Sequence, residues 1–158
     1  MKRIPGYSIV SRAIVYCARI LSLQYGKEYT RKQYGEVKKV ISFWIMPQSA
    51  QYLDGVVEIT RLVKDSPRKR RIEEKEAYDK ICIVEMYISK DHDIQKKYEK
   101  YDEVLTPLFV LLTNKLSIQD KKRILKEYGF KVDEDLERSL DTMCNLSVGI
   151  REEGRCEG

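Results

Sequence analysis

Histidine is almost missing from this chain: His92 is the only one in 158 residues. Without a second imidazole, a zinc site built on paired histidines is excluded. The four cysteines, Cys17, Cys82, Cys144 and Cys156, lie far apart and form no Cys-x-x-Cys pair. Buried or free thiols in a reducing compartment are therefore expected. No apolar run reaches the ~18 residues that span a bilayer. Arg12 and Arg19 interrupt any signal-like stretch near the start, so the expected location is cytoplasmic, with no membrane partner. There is no Gly-rich phosphate loop of Walker type and no Gly-x-Ser-x-Gly elbow. Acid also comes late: the first aspartate is Asp54, and no Pro-Asp pair occurs anywhere.

What is present describes a folded protein. Charged residues make up 35% and apolar residues 42%, a globular and not a disordered balance. The length suffices for one domain with a real core. The net charge of +5 is unevenly spread. Residues 1–40 hold nine Lys/Arg and two Glu, a net of +7, which leaves −2 for the remainder. A second basic cluster, Lys64 to Arg71, contains Arg68, Lys69, Arg70 and Arg71. Such patches suit phosphate backbones through charge and counterion release.

Residues 8–25 predict a helix, capped by Ser8 or Ser11 and stopped at Gly26. Val10, Ala13, Ile14, Cys17 and Leu21 share one side, and Arg12, Tyr16 and Arg19 share the opposite one. Ile9, Val15, Ile20 and Leu23 flank the apolar stripe, which predicts packing on more than one side. Residues 40–46, VISFWIM, form the uncharged β-branched and aromatic run of a strand buried on both faces, ended by Pro47. Val56–Val63 and Ile81–Ile88 read as further strands joined by a long basic loop over 64–79. The last third predicts helices: 103–116 with Pro107 in its first turn, Ile118–Tyr128 behind the Ser117/Asp120 cap, and 134–152 behind Asp133. A polar, glycine-punctuated tail follows.

Two constellations carry possible chemistry. His92 sits inside Asp91-His92-Asp93, a charged turn in which a solvated loop histidine is expected. Glu-x-Lys occurs as Glu36-Val37-Lys38 and Glu73-Glu74-Lys75. In magnesium nucleases of the PD-(D/E)XK type, an Asp and this Glu hold the metal and the Lys positions water. That chemistry needs an Asp on a preceding strand, and no Asp precedes Glu36. No catalytic residue and no metal ligand is therefore assigned.

Beyond those triplets, Pro5-Gly6-Tyr7, Arg12-Ala13-Ile14-x-Tyr16-Cys17-x-Arg19, Gln24-Tyr25-Gly26, Tyr34 and Val37-Lys38-Lys39-Val40-Ile41-Ser42-x-Trp44-Ile45 resemble the PD-(D/E)XK nuclease-family transposases, or recombination-promoting nucleases. Met143-Cys144-Asn145-Leu146-Ser147-x-Gly149-Ile150 resembles the closing segment of the same family. The resemblance implies an α/β fold, a partial restriction-endonuclease-like core over 1–102 with a C-terminal helical region over 103–158. It implies action on DNA with Mg2+ in the complete fold. Here the strands that would carry the catalytic Asp and Glu are absent, so the expectation is the C-terminal part of such a nuclease, inactive alone. Arg12, Tyr16 and Arg19 are the residues the resemblance places beside the site, with Arg68–Arg71 as a second DNA-binding candidate. The alternative is a non-catalytic DNA-binding or self-association module, because strand 40–46 would expose an unpaired edge.

Overall fold

The computed structural model describes residues 8–65 and 73–140. Ser8 is the N-cap of helix α1 (Ile9–Leu23), its hydroxyl accepting from the Ser11 N–H at 3.4 Å. Strands β1 (Val40–Ser49), β2 (Val57–Arg61) and β3 (Ile81–Ser89) form a sheet in the order β1-β3-β2. The short helix α2 (Lys75–Tyr78) precedes β3, and helices α3 (Asp102–Leu112) and α4 (Ile118–Glu127) follow it. The fold is α/β, as expected. The described residues divide into two compact units, 8–45 with 57–65 and 73–86, and 46–56 with 87–140.

In the first unit, Ala13 and Cys17 of α1 pack on Val40 and Ile83, with Val10, Leu21, Trp44 and Ile81 around them. These are largely the residues of the expected apolar stripe. Ile14 is the exception and is exposed, as are Val15, Ile20 and Leu23. Among the described residues α1 is thus buried on one side only, not on several. β2 and β3 run antiparallel, with Val57 opposite Met86 and Ile59 opposite Val84.

Among the described residues the run 40–46 has the unpaired edge expected of it, but its burial and its end differ from expectation. β1 is an edge strand, and β3 holds the central place. Burial along β1 alternates because α1 covers one face: Val40, Ser42 and Trp44 turn toward α1, while Ile41, Phe43 and Ile45 stay exposed, Phe43 at 63%. Pro47 lies within β1 and does not end it. An edge strand tolerates proline because one row of its N–H groups has no ladder partner to lose.

The second unit packs α3 on α4, burying Leu105, Phe109 and Val110 together with Ile124 and Leu125. Ser117 caps α4 by accepting from the Asp120 N–H at 3.1 Å, as expected. Pro107 is the sixth residue of α3, not in its first turn, and is buried. Residues 134–140 are helical, and the Asp133 carboxylate accepts from the Leu136 N–H at 2.9 Å. The rest of the predicted 134–152 helix, the tail and the 143–150 block lie outside the described residues, as do Cys144 and Cys156. Cys17 and Cys82 are free and buried.

Candidate functional site

Arg12 and Tyr16, one turn apart on α1, meet in the first unit. The Arg12 Nε–H donates to the Tyr16 hydroxyl at 2.8 Å. The guanidinium lies 5.3 Å from the Tyr16 ring centre and 5.9 Å from that of Trp44. Tyr16 and Trp44 stack with centroids 6.1 Å apart and planes 16° from parallel. A cation over two aromatic faces is held by the ring quadrupoles and by packing. Arg19 is exposed on the same helix, outside that stack. Arg68, Lys69, Arg70 and Arg71 lie outside the described residues, between Lys64 and Glu73, which form an ion pair.

Neither Glu-x-Lys triplet lies on a strand. Glu36 ends a single 3-10 turn (Tyr34–Glu36), and Lys38 pairs with Glu28. Glu74 is the N-cap residue of α2, which Lys75 opens. Lys39 is bound to Asp79 at 2.6 Å, and that bond holds the Asp79 carboxyl below its ordinary range. Among the described residues, no group of three or more His, Cys, Asp or Glu side chains is gathered where a cation would bind.

The second unit contains an arrangement that sequence reading missed. His92 is not a solvated loop residue: its side chain is only 6% exposed. Its Nδ1–H donates to Asp54 Oδ2 at 2.6 Å, which sets the tautomer. Tyr98 stacks on the imidazole at 4.1 Å, and Phe109 meets it edge-on at 5.2 Å. Neither flanking carboxylate is its partner. Asp91 binds Lys115 at 3.1 Å, and Asp93 accepts from the Gln95 N–H. Asp54 Oδ1 accepts from the Ser89 N–H at 2.7 Å and from the Tyr98 hydroxyl at 3.1 Å. The first aspartate of the chain is therefore a hub with three donors. His92 Nε2 is buried and has no hydrogen-bond partner among the described residues. The dyad has the atoms of a general base, but its free nitrogen is sealed from solvent, so its evident role is to tie the 50–56 turn to the segment after β3. No sequence spacing signals a pair 38 residues apart.

A second carboxylate extends the network. Asp102 Oδ1 accepts from the Tyr98 backbone N–H at 2.9 Å and the Thr106 hydroxyl at 2.7 Å, and Oδ2 accepts from the Tyr128 hydroxyl at 2.6 Å. Burial alone would raise the Asp102 carboxyl, but these three donors overcome it and the net shift is downward. Burial, followed by the charge of Asp54, pushes the Tyr98 phenol far up, so it remains a donor. The sign for Asp102 follows. Its folded value is depressed below the unfolded ~3.9, so its stabilisation is complete above that value and is lost as pH falls through the folded value. Asp102→Asn should therefore differ most from the parent at neutral pH and converge with it as pH falls through the folded value, as read by urea unfolding at several pH values. A constant gap across that range would assign the effect to packing instead.

Asp102 also borders an open cleft of about 1200 Å³, together with Ile94, Arg123, Glu127, Tyr128 and Phe130. Its wall holds both signs, Lys97 and Arg123 with Asp102, Glu103 and Glu127, so charge selects no ligand of one sign. No helix among the described residues is long and apolar enough to cross a membrane. Compared with protein-family models, curated proteins and solved structures, the chain matches none of them.

Proposed function

We propose that this chain is the C-terminal part of a PD-(D/E)XK-family nuclease of the transposase type, acting on DNA in the cytoplasm and inactive alone. The observation that carries the reading is the outer side of β1. It is an uncharged ten-residue strand with its far edge unpaired among the described residues and Ile41, Phe43 and Ile45 exposed. Proteins ordinarily shorten, charge or cover such an edge. A core completed by further strands, on a restriction-endonuclease-like plan, supplies that cover, and Mg2+ would belong to acids those strands contribute. The same edge supports a second reading, a module that self-associates through β1.

DNA enters through charge. Arg12 and Arg19 project from one face of α1, and Arg68–Arg71 add a second basic cluster; both suit phosphates more than bases. The test is anisotropy of a labelled random-sequence duplex, titrated with salt and assayed in parallel for Mg2+-dependent cleavage. Binding should weaken steeply with salt, and Arg12→Gln/Arg19→Gln should weaken it further without sequence preference. The chain alone should not cut. No duplex binding at low salt would overturn the assignment of α1 to duplex DNA and with it the nuclease reading. Cleavage lost in Glu36→Gln or Lys38→Met would overturn the inactive reading.

A further inference from the structure

Between α1 and β1 the chain forms a closed, tyrosine-rich loop that neither basic cluster explains. The Gln24 side chain closes it. Its amide N–H donates to the Lys38 carbonyl at 3.0 Å, and its amide oxygen accepts from the Lys38 N–H at 2.8 Å. Inside, successive turns are hydrogen-bonded: Glu28 N–H to Gln24 O at 2.8 Å, Gly26 N–H to Tyr29 O at 2.9 Å, and Gln33 N–H to Thr30 O at 2.8 Å. Gly26 takes a φ of +81°, which permits the tight reversal. The loop is therefore a fixed platform and not a loose connection.

Three aromatic rings stand on it in sequence. Tyr25 meets Tyr29 edge-on at 5.6 Å, and Tyr29 meets Tyr34 tilted at 5.5 Å. Tyr25 is 48% exposed and Tyr34 63%, so about half or more of each residue's area is not used in folding. Arg31 and Lys32 share with Tyr25 the wall of a shallow recess of about 610 Å³. Lys27, Arg31 and Lys32 form no ion pair among the described residues, whereas the nearby Lys38 is taken by Glu28.

Exposed aromatic faces on a rigid loop, interleaved with unpaired cations, make a surface for unstacked bases with phosphates running alongside. We infer that residues 24–34 form a single-stranded DNA-binding site, with Tyr25 and Tyr34 stacking bases and Lys27, Arg31 and Lys32 holding the backbone. A duplex hides the faces of its bases and cannot use the tyrosines. The inference deepens the preceding proposal, resting on it only for the polymer being DNA. It assigns this loop to a separated strand and α1 to the duplex. Rigidity matters because a preformed platform loses little entropy on binding.

The experiment uses the full chain and a fluorescein-labelled oligothymidylate of roughly 12 nucleotides, within the ~4–16-nucleotide range of such sites. The parent should bind it. Tyr25→Ala/Tyr34→Ala should weaken that binding about tenfold or more, with duplex affinity changed less than about twofold. Tyr25→Trp/Tyr34→Trp should keep it, since stacking needs a π face and not a hydroxyl. Replacing Lys27, Arg31 and Lys32 by Gln should flatten the log–log salt slope by about 2, at ~0.7 per phosphate. Circular dichroism of each variant shows that it is folded, and both tyrosines are surface residues. The inference is overturned if the folded parent fails to bind oligothymidylate, if the alanine pair loses strand and duplex equally or neither, or if an oligouridylate of equal length binds more tightly. Strand binding without duplex binding would sink the nuclease reading and leave this site standing; duplex binding alone would do the reverse.

Discussion

Asp54→Ala is expected to destabilise the protein by about 3–5 kcal/mol, because three buried or half-buried donors lose one acceptor at once. The Ser89 N–H, the Tyr98 hydroxyl and the His92 Nδ1–H all end on this carboxylate, at 2.7, 3.1 and 2.6 Å. A buried donor left unsatisfied costs roughly 1–3 kcal/mol, more when its partner carried charge. The three losses are not independent, since Tyr98 and His92 stack on one another, so the total falls below their sum. His92 makes the position more sensitive. Its Nε2 already lacks a partner among the described residues, and without Asp54 both ring nitrogens would be left without one beside Tyr98 and Phe109. Asp54→Asn should be intermediate, since an amide offers one oxygen and turns an NH2 group toward a donor. Urea denaturation followed by circular dichroism measures both. A loss under about 1 kcal/mol for the alanine variant would mean that water replaces the carboxylate and that the hub contributes little.

The hub shows where sequence reading reached its limit. The longer helices were legible because their signals are local, whereas the four-residue α2 falls in the stretch read as a loop. Ser8, Ser117 and Asp133 cap as their positions dictate, and Ala13 and Cys17 fall on the buried stripe as the 3.6-residue period requires. The three strands were legible from β-branched runs, and Gly129 takes the φ of +81° expected of a helix stop. The place of each strand in the sheet was not. An uncharged run such as 40–46 reads as doubly buried whatever its neighbours are, and only the pairing reveals that β3 is central. His92 failed for a related reason. Its sequence neighbours are two aspartates, so a charged turn was the natural reading, while the partner that buries it lies 38 residues earlier. Of the candidate binding residues, Arg12 and Tyr16 do come together, but the Trp44 ring that completes their stack sits on another element and leaves no local trace.

Gly55→Ala should be nearly as damaging as the loss of its neighbour, at about 3–4 kcal/mol, and for a purely steric reason. Gly55 has a φ of +77°, where an L side chain costs ~1–2 kcal/mol. A Cβ there would also lie 2.6 Å from Tyr98 Cδ1 and 3.0 Å from its Cε1. The ring cannot step aside freely. One face is stacked on His92, its hydroxyl is held by Asp54, and its backbone N–H is held by Asp102. Moving it by the required ångström would break contacts in both carboxylate clusters. Gly26 and Gly129 provide the control, because each has a φ of +81° with nothing within 4 Å of a built Cβ. Gly26→Ala and Gly129→Ala should therefore show the backbone cost alone, ~1–2 kcal/mol. The difference between Gly55→Ala and these two isolates what the approach of Tyr98 contributes, and near-ultraviolet circular dichroism would register the displaced ring. If all three variants lost the same stability, Tyr98 would be free to swing, and the Asp54–His92–Tyr98 cluster would not be the rigid tie between the 50–56 turn and the segment after β3.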